Sequence, residues 1–344
     1  MHSYRLVVGL MAVAGFALGG VFITGCAQAE DNPPKPPKKS FVPLYNGKDL
    51  SGWEVLDGNI EAWKADGELL SCVGEGGGWL RTEEMYSDYV LKLEFRVPPN
   101  GNSGVGLRFP DEGNPAFAGM EIQILDDDGD EYTELKDSQY SGSIYSEVAA
   151  KRGALKPPGE FNSYEITCKG PFIKVVLNGK TITEANIDEY DKASGDYKPL
   201  RDRPRIGYIG LQSHGSRVDF RNIDIKDLTN SITDPDTKVE MAYVDIVEGE
   251  GDAVGEGDAP TIHCTGRLLN GEKFYSSHDG AGQPLALPLT GYIPGWQLGI
   301  PGMKAGGRRK LIIPYQLAYG LRGFPPSIPP KAMLVFDVEV VKVK

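Results

Sequence analysis

The stretch that decides the fold of the larger part of this chain is MEIQIL, at residues 120–125. Polar and apolar side chains alternate along it, so Glu121 and Gln123 point to one face of a strand while the Met and Ile side chains point to the other. Similar short segments recur through residues 40–228, separated by Gly, Asn, Asp and Pro. This pattern, which contains no long helical period, predicts a β-sandwich of the jelly-roll type.

Polar side chains of three segments fall on one face of that sandwich. In GVGLR, at residues 104–108, alternation puts the arginine on the same face as two glycines, which leave space above the sheet. In IGLQSH, at residues 209–214, the glutamine and the histidine fall together. A concave face with such groups suits a sugar-like ligand, although a solvated outer face would show the same alternation. The polar residues that we assign to this face are Arg108, Glu121, Gln123, Tyr145, Gln212 and His214.

Length and charge divide the chain into two parts. Its 344 residues predict two domains. Residues 241–344 carry 10 basic and 10 acidic side chains, whereas the net charge of −12 belongs entirely to residues 1–240. Such an acidic chain is unsuited to sequence-independent binding of nucleic acid. Residues 229–240 are polar, mix Ser, Thr, Asp and Pro, and are predicted to be a linker.

The N-terminus is predicted to be an export signal. A basic residue precedes the apolar stretch 6–23, and ITGC at residues 23–26 resembles a bacterial lipobox. We therefore predict a signal peptide over residues 1–25, lipidation of Cys26, and a Pro- and Lys-rich spacer over residues 26–39. The exported protein would then be anchored by lipid on the periplasmic or cell-surface side of a membrane. A plain secretory signal or an uncleaved anchor is the alternative.

Two further features bear on disulfides and metals. The cysteines at positions 72, 168 and 264 lie far apart on predicted strands and are interpreted as buried thiols, with a Cys72–Cys168 disulfide as the alternative in an oxidising compartment. The run DDDGDE at residues 126–131 offers alternating carboxylates to Ca²⁺, but it lacks the full EF-hand loop. An acidic surface loop is therefore the preferred interpretation.

Six motifs follow one another along residues 40–228. They are LYNGKDLSGW at 44–53, NSGVGLR at 102–108, EIQILD at 121–126, SGSIY at 141–145, KPPGEFN at 156–162 and GLQSHG at 210–215. Together they resemble the 3-keto-disaccharide hydrolase family. The resemblance implies a jelly roll like that of concanavalin-type lectins, and cleavage of glycosides already oxidised at C3.

The chemistry of such a substrate indicates roles for the polar face. A ketone at C3 acidifies the C2 proton, so a base can remove it and the enolate can expel the C1 leaving group, with hydration afterwards. Glu121 is the candidate base, Arg108 the candidate oxyanion stabiliser, and His214 a candidate acid or metal ligand. A paired-carboxylate glycosidase fits less well, because position 123 is Gln. A divalent metal remains an open cofactor. The candidate sugar-binding residues are Gln123, Gln212 and Tyr145.

Residues 241–344 predict a different fold. Strand-like segments at 244–247, 260–266 and 333–341 accompany one short helical stretch at 294–303. This order predicts an α+β roll, in which an antiparallel sheet wraps on one short helix. The characteristic strings are HCTG at 263–266, FYSS at 274–277, IPGW at 293–296, LAYG at 317–320, IPP at 328–330 and LVFDV at 334–338. They resemble the FKBP-type peptidyl-prolyl isomerases.

That resemblance implies rotation about X–Pro amides in an apolar aromatic cup, without a cofactor. The intrinsic barrier is about 18–20 kcal/mol, and an apolar cup disfavours the polar resonance form of the amide. Three positions depart from the family, because Cys264, Tyr275 and Leu285 stand where Tyr, Asp and an aromatic residue are usual. The residues that match the cup are Phe274, Tyr292, Ile293, Trp296, Tyr319, Ile328 and Phe336.

We therefore predict an exported lipoprotein with two enzymatic modules. Its partners would be oxidised (3-keto) glycosides, X-Pro peptide or protein clients, and a membrane, with no nucleic acid. The alternative is a non-catalytic carbohydrate-binding sandwich that targets an extracytoplasmic FKBP folding helper. A third interpretation treats both modules as scaffolds that bind protein partners.

Overall fold

The computed structural model describes residues 40–343, apart from residues 75, 193, 194 and 196. The predicted signal peptide, the lipidation site at Cys26 and the spacer lie outside the described residues. In the part of the chain that is described, no helix has the length and apolar character needed to cross a membrane.

The described chain is built mainly of strands, as predicted. The strands are β1 (Val42–Pro43), β2 (Trp53–Leu56), β3 (Trp63–Asp66), β4 (Leu69–Cys72), β5 (Trp79–Thr82), β6 (Tyr89–Arg96), β7 (Asn102–Phe109), β8 (Met120–Leu125), β9 (Asn162–Lys169), β10 (Phe172–Leu177), β11 (Lys180–Asn186), β12 (Tyr208–Gln212), β13 (Val218–Asp227), β14 (Asn230–Thr233), β15 (Glu240–Val247), β16 (Glu250–Ala253), β17 (Thr261–Leu268), β18 (Lys273–Ser276), β19 (Lys304–Ala305), β20 (Arg308–Ile313) and β21 (Leu334–Lys342). The α-helices are α1 (Pro115–Ala118) and α2 (Pro294–Gly299). Short 3-10 helices span Ile60–Ala62, Asp130–Tyr132, Asp137–Gln139, Ile187–Glu189, Leu200–Asp202, Leu289–Gly291 and Tyr315–Leu317.

Strands β1–β13 form a sandwich of two antiparallel sheets. The first sheet has the order β11-β10-β9-β6-β13-β4-β3, with β1 also paired to β13, and the second has the order β2-β5-β12-β7-β8. Apolar residues of both sheets share one core, in which Leu93 and Tyr164 of the first sheet join Val105 and Ile122 of the second. The predicted jelly-roll-like sandwich is confirmed.

Strands β14–β21 form the second module. Its main sheet has the order β14-β15-β20-β21-β17-β18, and β16 pairs with β19 beside it. The helix α2 packs on this sheet, because Trp296 and Ile300 share a core with Leu311 and Phe336. This arrangement confirms the predicted α+β roll. The helix ends at Gly299, before Pro301, and is therefore shorter than the predicted stretch 294–303.

The predicted linker over residues 229–240 contains a strand. Residues 230–233 form β14, which pairs with β15, and Ile232 packs against the core of the second module. Asp234 closes the hairpin, since its Oδ1 accepts hydrogen bonds from the backbone N–H groups of Asp236 (3.0 Å) and Thr237 (2.7 Å). The Asp-Pro-Asp-Thr run that indicated a linker is thus a side-chain-stabilised turn between two strands.

The two modules meet at a buried interface that includes an ion pair. Lys310, on β20, is fully buried; its Nζ donates to Asp88 Oδ2 (2.7 Å), Ser87 Oγ (3.1 Å) and the backbone oxygen of Arg205 (3.3 Å). Burial lowers the pKa of Lys310 to about 8. Burial alone would raise the pKa of Asp88, but the charges of Lys310 and Arg108 lower it. A lysine of one module therefore neutralises a carboxylate of the other. The adjoining apolar cluster contains Ile206, Ala242, Ile312 and Val335.

The three described cysteines are free, buried thiols, as predicted. The alternative of a Cys72–Cys168 disulfide is wrong. Cys72 lies on β4 and Cys168 on β9, and β6 and β13 stand between these strands. At about 4.8 Å per strand the three steps from β9 to β4 alone separate the two cysteines by roughly 14 Å, about twice the Cα separation that a disulfide can span. They are also displaced along the strands, because Cys168 pairs with Tyr89 at the start of β6, whereas Cys72 pairs with Val218, beside the end of β6.

Candidate functional site

The candidate site of the sandwich lies on the outer face of the second sheet. A row of directly opposed residues crosses its five strands: Glu54, Arg81, Gly210, Gly106 and Glu121. Directly opposed residues share one face of a sheet, so Arg81 and Glu121 border a central strip formed by the two glycines. With about 4.8 Å between strands, the Cα atoms of Arg81 and Glu121 lie roughly 14 Å apart.

Aromatic rings cover the central strip of this row. A Cβ at Gly106 or at Gly210 would lie 2.8 or 2.9 Å from the Phe109 ring, so only glycine leaves room for that ring. The centroid of Phe109 is 6.0 Å from that of Trp79 and 6.0 Å from that of Tyr208. The space predicted above Gly104 and Gly106 is therefore occupied, by the Glu121 side chain over Gly104 and by the Phe109 ring over Gly106.

Glu121 is a buried carboxyl group. Its side chain is only 2% exposed and lies flat over Gly104, where any Cβ would overlap it. Its Oε1 finds no hydrogen-bond partner in the part of the chain that the structure describes. Burial raises the pKa of Glu121 from 4.5 to about 8. The group is consequently mostly protonated at neutral pH, and it becomes a strong carboxylate base in mildly alkaline solution.

Tyr145 lies directly opposite Glu121. Its backbone N–H donates to the backbone oxygen of Glu121 (2.9 Å), and the neighbouring residues Ile122 and Ile144 form an antiparallel bridge. The Tyr145 side chain therefore lies on the same face of the sheet as Glu121. Gln139 Nε2 donates to the Tyr145 hydroxyl oxygen (3.0 Å). The hydroxyl proton thus remains free for donation to a ligand.

The other predicted sugar-binding residues border the same face. Gln123 follows Glu121 on β8, is buried, and donates from Nε2 to Asn102 Oδ1 (3.3 Å). Gln212 is half-buried at the end of β12, two residues beyond Gly210. The structure thus brings Glu121, Gln123 and Tyr145 together, with Gln212 nearby. His214 is exposed and lies two residues beyond the end of β12.

Arg108 lies elsewhere, which corrects the predicted placement. Its φ of +51° and the register shift between Tyr208 and Gly210 reverse the alternation at the end of β7. Such a bulge moves the following side chain to the opposite face. Phe109 takes the position on the outer face, and Arg108 is fully buried near the second module. There it donates from Nε to the backbone oxygen of Ser87 (2.6 Å) and from Nη1 to that of Gly170 (2.8 Å).

Arg81 is the arginine that shares the face of Glu121, and the sequence-based assignment omitted it. Its guanidinium pairs with Glu54 (2.7 Å) and with Asp111 (2.9 Å), and its Cζ lies 4.0 Å from the centroid of the Tyr208 ring. The alternation in WLRT at residues 79–82 carries the signal, because it puts the arginine on the face opposite to the buried Leu80.

The acidic run after β8 is engaged by its own chain. Asp126 Oδ2 accepts from the backbone N–H of Asn100 (2.9 Å), and Asp127 Oδ1 accepts from that of Ser141 (2.9 Å). The neighbouring Asp128 is exposed. Among the described residues, no group of three or more His, Cys, Asp or Glu side chains is placed to hold a metal ion. This run is therefore a structured acidic loop.

The second candidate site is a cavity of about 580 Å³ in the second module. Trp296 is buried at its base, in edge-to-face contact with Phe336 at 5.2 Å and tilted against Tyr292 at 4.8 Å between ring centroids. The structure brings all seven predicted cup residues around this cavity: Phe274, Tyr292, Ile293, Trp296, Tyr319, Ile328 and Phe336. The result is a deep aromatic pocket that can bind an apolar side chain or ring.

The three departures from the family pattern occupy different places. Tyr275, which is 41% exposed, and Leu285 line the cavity. Cys264 instead lies in the core of the module, where burial raises the pKa of its thiol to about 12. Tyr319 is 38% exposed at the rim, and burial raises the pKa of its hydroxyl. Tyr319 is therefore a neutral hydrogen-bond donor at physiological pH.

Comparisons with known proteins match both modules. Residues 40–226 match the family described as the 3-keto-alpha-glucoside-1,2-lyase-like domain, and residues 251–341 match the FKBP-type peptidyl-prolyl cis-trans isomerases. A crystal structure described as a candidate glycosyl hydrolase from Parabacteroides distasonis is 33% identical, covers 55% of this chain and 100% of that chain, and has a TM-score of 0.50.

Relatives of the second module are more similar in sequence. The FK506-binding protein of Neisseria meningitidis serogroup A is 48% identical over 101 residues, which are 29% of this chain and 92% of the relative. The isomerase FkpA of Escherichia coli K12 is 42% identical over 104 residues, which are 30% of this chain and only 38% of FkpA. The chain therefore belongs to the 3-keto-alpha-glucoside-1,2-lyase-like family through residues 40–226 and to the FKBP-type peptidyl-prolyl cis-trans isomerase family through residues 251–341.

Proposed function

We propose that the sandwich cleaves glycosides oxidised at C3, by eliminating the leaving group from C1, and that the second module isomerises X-Pro bonds. The observation that carries the first part is Glu121. It is a buried carboxyl without a hydrogen-bond partner among the described residues, burial raises its pKa to about 8, and it shares its face of the sheet with Tyr145, whose hydroxyl oxygen accepts a hydrogen bond from Gln139. A base whose pKa lies near the working pH combines a useful ionised fraction with a strong drive to accept a proton.

In the proposed reaction the Glu121 carboxylate removes the proton from C2 of the sugar. The electron pair of the C2–H bond moves toward the C3 ketone, and the resulting enolate oxygen accepts a hydrogen bond from the Tyr145 hydroxyl. Tyr145 thus takes the role that we first assigned to Arg108. Collapse of the enolate forms the C1–C2 double bond, and the C1–O bond breaks with its electron pair on the leaving oxygen. That oxygen takes up a proton, for which His214 is our candidate donor. Glu121 releases its proton to solvent, water then adds to C1 and loses a proton, and C2 takes up a proton from solvent.

The isomerase proposal rests on the aromatic cavity and on the family to which residues 251–341 belong. Proline would insert over Trp296, and the apolar walls would disfavour the polar resonance form of the amide, so rotation becomes easier. The Tyr319 hydroxyl would donate to the substrate carbonyl as the amide twists. The clients would be peptides or proteins with X-Pro bonds. Acceleration of cis–trans relaxation in an X-Pro peptide, monitored with the full chain, tests this activity directly.

Cleavage by the sandwich is tested with a 3-keto-disaccharide and NMR detection of released hexose. Wild-type protein should release hexose, and Glu121→Gln should release at least about a hundredfold less, since a general base contributes about 10²–10⁴ in rate. Glu184→Gln, an exposed carboxylate on β11, is the matched control and should be unchanged. Intact substrate with ligand-induced shifts would instead favour the non-catalytic carbohydrate-binding alternative.

The proposed export and anchoring rest on the N-terminal sequence. We propose that Cys26 becomes a lipidated first residue and that the spacer separates the sandwich from the membrane. Metabolic labelling with palmitate should mark the wild-type protein and leave Cys26→Ser unlabelled. Label retained in Cys26→Ser would contradict this part of the proposal.

A further inference from the structure

A second cavity, of about 630 Å³, lies beside the Glu121 face. Its walls are the connection from β7 to β8, residues 197–198, and a turn of the isomerase module. Phe117 and Tyr197 line it and stack face to face, with ring centroids 3.9 Å apart and planes 5° from parallel. The volume is in the range of about 300–1,000 Å³ that is typical of small-molecule sites.

This cavity borders the row of Glu121 at two points. Phe117 lines the cavity and also contacts the Tyr145 ring, with centroids 5.9 Å apart. Asp111 lines it as well and accepts a hydrogen bond from Arg81 Nη1 (2.9 Å). Tyr145, which lies opposite Glu121, and Arg81, which lies in the row, therefore each contact a residue that lines the cavity.

The isomerase module closes the cavity through Leu269 and Asn270. The turn that carries them packs closely against the sandwich. Gly271 has a φ of +82°, and a Cβ there would lie 2.6 Å from the backbone oxygen of Asp202 and 2.8 Å from the nitrogen of Pro204. Only glycine permits this close approach. The second module thus contributes a fixed wall to a cavity of the first.

The walls on the sandwich side are also held in place. Arg203 is fully buried and donates from Nε to the backbone oxygen of Lys198 (2.9 Å) and from Nη1 to that of Gly119 (3.1 Å). It therefore ties the residue that follows Tyr197 to the residue that follows α1. The two stacked rings are consequently carried by segments that share one buried guanidinium.

The lining chemistry suits a sugar ring. A stacked aromatic pair offers a flat apolar surface, while Glu112, Asn114 and Lys198 supply polar groups for hydroxyls. We propose that this cavity binds the leaving-group sugar of the 3-keto glycoside and that Tyr197 and Asn270 select it. The inference rests on the proposed elimination at Glu121. It gives the fusion a function, since the isomerase module completes the substrate site of the sandwich.

Two substrates separate this inference from the proposed reaction. A 3-keto-disaccharide has a hexose as its leaving group, whereas the corresponding methyl 3-keto-glycoside has only methanol. In Tyr197→Ala, kcat/KM for the disaccharide should fall about tenfold, while kcat/KM for the methyl glycoside should stay within about twofold of wild type. Phe172→Ala, an equally exposed aromatic residue outside the cavity (43% against 42%), is the matched control.

Each outcome decides the matter. For Tyr197→Ala, an equal loss of kcat/KM on both substrates, or no loss on either, would overturn the inference. If Tyr197→Ala lowers kcat/KM for the disaccharide and Asn270→Ala does not, the part assigned to the isomerase module is removed. Wild-type protein that cleaves neither substrate defeats the proposed reaction. In that case, binding of free hexose, measured by ligand-observed NMR, still tests the cavity assignment. Binding by Tyr197→Ala that is at least fivefold weaker than binding by wild type supports the assignment, and equal binding overturns it.

Discussion

Replacement of Lys310 by Met tests whether the two modules are held together by the buried ion pair. The lysine ammonium is fully buried and donates to Asp88 Oδ2 at 2.7 Å. Methionine has a similar length and keeps the apolar stem, so the change removes the charge more than the volume. Asp88 remains buried in the variant with its negative charge.

The expected magnitude follows from what remains around Asp88. Loss of one partner from a buried ion pair costs about 3–5 kcal/mol, because the other charge is left uncompensated. Arg108 still lies 3.5 Å from Asp88, and Ser87 and the backbone N–H of Gly170 still donate to it. We therefore expect the low end, about 3 kcal/mol. With an unfolding entropy of about 2.1 cal/mol/K per residue, that loss corresponds in a chain of this length to a midpoint lowered by roughly 4–5 °C.

Thermal unfolding at neutral pH, followed by circular dichroism on the full chain, measures this effect. Lys304→Met, an exposed lysine on β19 of the same module, is the matched control and should leave the midpoint within about 1 °C of wild type. A Lys310→Met midpoint within about 2 °C of wild type would refute the reasoning. That result would mean that the interface is held by its apolar cluster and that the ion pair contributes little.

Three further predictions concern single groups of the two sites. Because the pKa of Glu121 is raised to about 8, the folded chain keeps a proton that the unfolded chain releases near pH 4.5. The protonated Glu121 therefore contributes stability that is fully present at pH 4.5 and below and is lost as the pH rises through 8. In urea unfolding, the free energy of unfolding of wild type should therefore fall by on the order of 4–5 kcal/mol relative to that of Glu121→Gln between pH 4 and pH 9. The same dependence of this free energy on pH in both proteins would contradict the assigned pKa. Tyr319→Phe should lower kcat/KM for X-Pro isomerisation roughly three- to tenfold, the equivalent of one hydrogen bond; an unchanged rate would remove Tyr319 from the mechanism. Tyr275→Asp restores the carboxylate usual in the family and should raise that rate, so a lower rate with unchanged thermal stability would show that Tyr275 itself binds substrate.

Alternation was sufficient to predict the strand that carries Glu121. Along β8 the apolar side chains enter the core and Glu121 and Gln123 lie on the outer face. The same rule placed Arg108 wrongly, because a residue with positive φ at a bulge reverses the alternation and no local pattern in GVGLR indicates this. Alternation therefore assigns side chains to one face of a sheet, but it does not show where a bulge reverses that assignment.

Long-range electrostatics were beyond the sequence analysis. Lys310 and Asp88 are 222 residues apart, and a lysine on a strand is usually exposed. The strand at residues 230–233 was missed for a related reason. Its polar residues are typical of a linker, and only its pairing with β15 makes it a strand. In contrast, the seven predicted cup residues of the isomerase module all line its cavity, since the family resemblance supplied the spacing that brings them together; Phe324 also lines the cavity and was not predicted to do so.

The central claim is that Glu121 removes the C2 proton of a 3-keto glycoside, and reaction in D₂O tests it most directly. Wild-type protein should release hexose and leave deuterium at C2 of the 3-keto sugar, while Glu121→Gln should do neither; 3-keto-glucose without protein corrects for spontaneous exchange. Hexose released by wild type with hydrogen retained at C2 would contradict the account, because the glycosidic bond would then break by direct hydrolysis without an enolate.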